Sequence, residues 1–170
     1  MNTQNNIDMK RIFLIAAILC SSLMVLQSCS PKGGAATQTV SRGDVTGNWV
    51  LNEITFEGVP QSSVKSLFGE SSYTCFIGST WRLTNSGNGS YSLPGGASCA
   101  AKTQTIFWSA SPKDQTFQFK KIYEGDKAKN VTEGYRSVLF SSSKESLVIK
   151  SPVEYGNSTA YIVLNFTASK

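Results

Sequence analysis

The chain contains no histidine among its 170 residues. That absence excludes Ser-His-Asp and Cys-His catalytic arrangements, and any zinc, copper, haem or non-haem iron site that needs an imidazole. It also removes the one side chain whose ordinary titration lies near neutral pH. A general acid or base here would have to be a strongly shifted carboxyl, lysine or thiol. Charge is scarce too: Asp, Glu, Lys and Arg make up 16% of the chain, below the usual share of about a quarter. A low charge content suits a Ser/Thr-rich β protein better than a helical one. No Gly-rich phosphate loop of standard spacing and no Gly-x-Ser-x-Gly elbow occurs, so no cofactor is implied.

The N-terminus reads as an address. Lys10 and Arg11 precede an apolar run over residues 12–19, which continues less strictly to Leu26, and the small residue Ser28 stands just before Cys29. A basic region, a short apolar stretch and a small residue describe a secretory signal peptide over residues 1–28. The apolar core is too short for a permanent membrane-spanning helix; an uncut N-terminal anchor is the competing reading. Cleavage removes Lys10, Arg11 and Asp8, lowers the formal charge from +5 to +4, and leaves 142 residues. That length supports one domain with a real core. In an oxidising exported compartment, Cys75 and Cys99 read as a disulfide rather than a metal pair, worth roughly 3 kcal/mol by loop closure. Two free buried thiols are the alternative.

Residues 29–43 lack apolar periodicity and read as a flexible tether, so the folded domain is expected over residues 44–170. There, short runs rich in Val, Ile, Thr, Phe, Tyr and Trp alternate with turn clusters. Candidate strands fall at 47–57, 79–84, 89–93, 103–109, 116–123, 135–141, 146–150 and 159–167, with an uncertain piece at 73–77. Period-2 alternation is visible where Trp81 and Leu83 flank Arg82, and where Phe117 and Phe119 flank Gln118. One face of each strand is therefore apolar, as in an antiparallel sheet with one buried side. Residues 60–69 break the pattern. Val64, Leu67 and Phe68 stand at i, i+3 and i+4, with Pro60 near the start and Gly69 at the end, which predicts a short amphipathic helix. No strand–helix–strand rhythm recurs. The predicted fold is an all-β, antiparallel up-and-down barrel of about eight strands with one short helix after the first. A β-sandwich is the arrangement that periodicity does not exclude.

Two resemblances sharpen this reading. Leu26-Gln27-Ser28-Cys29 resembles the lipobox of bacterial lipoproteins. This implies fatty acylation of Cys29 as the first mature residue and attachment to a membrane. Ser30 is not an acidic retention signal, which by the same resemblance points to the outer membrane, facing the periplasm, with surface exposure as the other placement. Gly47-Asn48-Trp49, opening the first strand, is similar to the Gly-x-Trp start of the lipocalins. The stretch from Thr46 to Gly58, and the strand–turn–strand from Ser79 to Leu93, are similar to bacterial lipocalin-like lipoproteins. The resemblance implies a barrel whose base is plugged by Trp49, with Gly47 allowing close approach. It also implies a small apolar ligand. The arginine that covers the base Trp in longer lipocalins has no evident counterpart.

The aromatic residues are the most suggestive set for a site. Trp81, Tyr91, Trp108, Phe117 and Phe119 are the candidate pocket residues, with Phe107, Tyr123 and Phe140 nearby in the pattern. In a small barrel, inward side chains either fill the interior or leave room for one small ligand. Glu53 and Glu57 lie four apart on a predicted strand, where nothing else marks a catalytic carboxylate pair. Lys120, Lys121, Lys127 and Lys129 form a small basic patch that reads as a solvated loop. The expected protein is a monomeric, membrane-tethered binder of a small apolar or amphipathic molecule, with no metal, no nucleic-acid partner and no catalysis. The alternative is an envelope interaction or inhibitor module with a filled barrel.

Overall fold

The computed structural model describes residues 40–96 and 98–169. The expected signal peptide, Cys29 and the tether as far as residue 39 lie outside the described residues. Eight strands follow one another: β1 (Gly47–Glu57), β2 (Thr80–Leu83), β3 (Asn88–Leu93), β4 (Lys102–Ser111), β5 (Thr116–Lys121), β6 (Tyr135–Ser142), β7 (Ser146–Tyr155) and β8 (Ser158–Ala168). Each pairs antiparallel with its sequence neighbours, and β1 pairs with β8, so the sheet closes into an up-and-down barrel. Closure, rather than a sandwich, leaves no strand edge exposed.

The alternation read from sequence is the inside–outside pattern of the wall. Trp81 and Leu83, Ile106 and Trp108, Phe117 and Phe119, and Ile162, Leu164 and Phe166 all point inward and are buried. Two bulges interrupt the ladder, one at Asn52 in β1 and one at Phe140 in β6. A bulge inserts one unpaired residue and re-aims its side chain. Phe140, the unpaired residue of the second bulge, is 53% exposed on the outer wall, with Lys150 Nζ 3.8 Å above its ring.

The base holds a short helix, α1 (Arg42–Val45), capped by Ser41, whose hydroxyl accepts from the Gly43 amide. Val40 and Val45 are buried against the core. Residues 40–43, expected to belong to the tether, are thus part of the folded domain. The other end carries the β1–β2, β3–β4, β5–β6 and β7–β8 connections and is called the upper end below.

The helix expected over 60–69 is absent. Only Gln61–Ser63 forms a 3-10 turn, and Leu67–Glu70 closes as a tight hairpin turn. A segment this short does not hold a helix by itself. Its apolar residues bury by folding into the barrel mouth instead: Val64, Leu67 and Phe68 all belong to the core. The piece at 73–77 is a second 3-10 turn, Tyr73–Phe76, capped by Ser72.

Candidate functional site

The base comes first because it is the part the Gly-x-Trp motif marks. Trp49 is 2% exposed and its indole Nε1 donates to the Val45 carbonyl at 2.9 Å, tying β1 to α1. A Cβ on Gly47 would lie 3.6 Å from that Nε1, an ordinary contact, so closeness to the indole does not by itself demand glycine. An arginine does stack on a base tryptophan, though not on Trp49. The Arg42 guanidinium lies 4.9 Å over the Trp108 ring and donates to the Asn85 carbonyl at 3.1 Å.

The five candidate pocket residues are brought together, in two layers. Trp108 and Phe117 stack at 6.0 Å toward the base. Above them Trp81 and Tyr91 stack at 4.9 Å, and Phe119 meets Trp81 edge-on at 5.5 Å. All five are buried. Of the other aromatics, Phe107 faces the outer groove beside Gln118 and Lys120, while Tyr123 and Phe140 are exposed.

The upper layer also holds rings that the strand pattern did not supply. Phe68, from the β1–β2 connection, places its ring 5.6 Å from Phe76, 6.5 Å from Trp81, 4.9 Å from Phe119 and 5.2 Å from Tyr135. Each contact is edge-to-face, the geometry that the ring quadrupole favours. The backbone holding this ring is strained. Leu67 and Glu70 exchange both backbone hydrogen bonds, at 3.3 and 2.8 Å, which makes Phe68 and Gly69 the two central residues of a hairpin turn. Both have positive φ, 47° and 75°. Such turns favour Asn-Gly or Asp-Gly. A phenylalanine in the left-handed region costs about 1–2 kcal/mol, which the burial of its ring offsets.

The turn is held from two sides. Cys75 and Cys99 are bonded, linking the β1–β2 connection to the β3–β4 connection across the upper end. Glu70, the last residue of the turn, is pinned by cations: Lys102 Nζ lies 2.7 Å from Oε2 and Lys121 Nζ 2.9 Å from Oε1. The Tyr91 hydroxyl also donates to Oε1, at 3.3 Å. The Glu70 and Lys121 side chains are each 11% exposed, Lys102 41%. Burial pushes the Glu70 carboxyl up, but hydrogen bonds from Lys102 and Lys121 outweigh it and hold the group below the usual carboxylate value. Burial, and then the neighbouring Glu70 charge, push the Tyr91 phenol far up. Tyr135 is raised as well, first by burial.

The expected basic patch is therefore divided. Lys121 turns to Glu70, and Lys120 donates to the Val131 carbonyl at 2.8 Å, while Lys127 and Lys129 are exposed. Glu57 is occupied too, paired with Lys150 at 2.8 Å on the outer wall. Sequence reasoning took Phe68 for one face of a helix and did not single out Glu70, Lys102 or Tyr135. No protein-family model, no curated protein and no solved structure matches this chain.

Proposed function

We propose that this chain is a lipid-anchored, lipocalin-like protein of the bacterial envelope that binds one small apolar or amphipathic molecule in the upper half of its barrel. On this reading it is a monomeric binder rather than a catalyst. Cys29 fastens it to the outer membrane on the periplasmic side, and several acyl chains give firm attachment. One observation carries the proposal. The upper interior is walled by rings fixed on β2, β3, β5 and β6, yet its centre is filled by Phe68, which belongs to a connection and not to the wall. A wall that is complete without its central occupant has the form of a site that exchanges occupants, and eight strands enclose room for one small ligand.

Two experiments test this. Protein purified from its own cells and examined by native mass spectrometry is expected to carry a small molecule, released on unfolding. A ligand-free barrel that takes up no apolar dye overturns the reading. Metabolic labelling with a fatty-acid analogue is expected to mark the wild type but not Cys29→Ala; label on that variant removes the anchor.

A second reading, an interaction module acting through its outer surface, is favoured by a different observation. Ile77 and Tyr123, on connections of the upper end, and Tyr155, at the upper end of β7, are large and exposed, with Phe140 exposed on the wall. Cross-links from Tyr123 to one reproducible envelope partner, together with an interior that admits nothing, select it.

A further inference from the structure

The Leu67–Glu70 turn sets a phenyl ring and a carboxylate into the barrel mouth from two residues of one short loop. The ring of Phe68 sits among Phe76, Trp81, Phe119 and Tyr135. The carboxylate of Glu70 sits between Lys102 and Lys121 and receives the Tyr91 hydroxyl. These two receptors have different owners from the groups they receive. Trp81, Tyr91, Lys102, Phe119, Lys121 and Tyr135 are all wall residues of β2 to β6. Phe76 lies beside Cys75, which the disulfide to Cys99 keeps in place.

From this juxtaposition we propose that the turn is an internal stand-in for the ligand, and that the ligand is an aromatic carboxylate: a single uncharged ring for the box, joined by a short chain to a carboxylate for the two lysines. The turn and the ligand compete for the same groups. The disulfide lies beyond the turn, so the turn lifts without moving Phe76, and what is exposed is an apolar ring site with two ammonium groups at its edge. Desolvated aromatic walls supply affinity for the ring by area and edge-to-face contact. Charge-assisted hydrogen bonds from lysine distinguish a carboxylate from its ester or alcohol. Phenylalanine in a turn that prefers asparagine has its reason here: the box selects the ring, and the turn tolerates it.

The inference rests on the small-ligand reading above and names its ligand class. The test uses the full chain, purified as it is expressed, with 3-phenylpropionate and 4-phenylbutyrate, their methyl esters, and a straight-chain fatty acid, titrated by calorimetry. Glu70→Gln frees the lysines and unlatches the turn while leaving the box intact; it is expected to bind the better phenylalkanoate at least tenfold more tightly than wild type. Phe68→Ala, which removes the resident ring, is expected to do the same. Both are expected to prefer acid over ester by tenfold or more, and Lys121→Met in the Phe68→Ala background is expected to abolish that preference. Equal binding by wild type and Glu70→Gln, or equal binding of acid and ester, overturns the stand-in. Binding of the straight-chain acid alone overturns the aromatic class and leaves the small-ligand reading standing. No binding of any probe by any of these proteins removes both.

Discussion

Replacing Glu70 by glutamine isolates the charge that holds the upper end of the barrel closed. Glutamine keeps an acceptor oxygen for Tyr91 or one lysine but loses both ion pairs. Lys102 is 41% exposed, so water replaces most of what it loses, about 0.5 kcal/mol. Lys121 and Glu70 are each 11% exposed, and a charge-assisted bond between largely buried partners is worth about 1.5–3 kcal/mol. With the retained acceptor, the net loss at neutral pH is expected at about 2 kcal/mol. The pH dependence makes the test sharper. The folded carboxyl sits below its ordinary value of 4.5, so its contribution is whole above that value and disappears as pH falls through the lower, folded one. The groups facing it are Lys102 on β4, Lys121 on β5, Tyr91 on β3 and Tyr135 on β6. Both tyrosines are held above their ordinary values, so in the acid range the carboxylate is the group among them that titrates. The remaining carboxylates are common to both proteins and cancel in the difference. Urea denaturation of wild type and Glu70→Gln from pH 7 to pH 3 should therefore show a gap of about 2 kcal/mol that narrows on acidification. A gap that stays constant to pH 3, or none at pH 7, refutes the latch.

Three further perturbations bear on the frame around it. Changing both Cys75 and Cys99 to serine opens a loop whose ends are 24 residues apart and should cost about 3 kcal/mol in urea denaturation; a loss under 1 kcal/mol would mean the hairpin turn holds the upper end without the bridge. Trp49→Phe leaves the buried Val45 carbonyl without its donor and opens space at the base, so a loss of about 2–3 kcal/mol is expected by thermal or urea unfolding. Gly89→Ala would place a Cβ 2.6 Å from the Arg82 carbonyl oxygen and 3.3 Å from both Ile106 and Trp108. The β2–β3 hairpin must shift to admit it, so a loss above about 2 kcal/mol is expected, and a stability equal to wild type would contradict the register of that hairpin.

The barrel was legible because its strands obey a period-2 rule that needs no distant information. Trp81-Arg82-Leu83 and Phe117-Gln118-Phe119 state their inner and outer faces in three residues, and both faces are as read. Boundaries failed where a local rule met a tertiary exception. The strand expected over 146–150 stops short of Pro152, a residue that cannot donate to a ladder. In the structure β7 runs on to Tyr155, with Pro152 exposed and opposite Tyr161. Counted on from Ser137 and Leu139, Phe140 is an outer residue; counted back from Ser142, opposite Leu147, it is an inner one, and the bulge that separates the two counts is announced by no single-strand pattern. The Cys75–Cys99 bond was reached from the compartment rather than from geometry, since spacing alone does not say which thiols meet.

The upper end was illegible for a stronger reason. Val64, Leu67 and Phe68 have helical spacing, and helical spacing is what a ten-residue window can report. The outcome was set by partners outside any such window: Lys121, which is 51 residues from Glu70, and rings on β2, β5 and β6. One local signal was nevertheless present. Ser66-Leu67-Phe68-Gly69-Glu70 carries glycine at the second centre of a two-residue turn and phenylalanine at the first, where asparagine or aspartate belongs. A sequence that agrees with its fold at every level keeps such exceptions for places where another demand is stronger. Here the stronger demand is the aromatic box. The same mismatch that makes the turn unreadable as a turn identifies Phe68 as a residue placed for its ring. A ring held in place against its own backbone preference returns about 1–2 kcal/mol of strain when its turn opens.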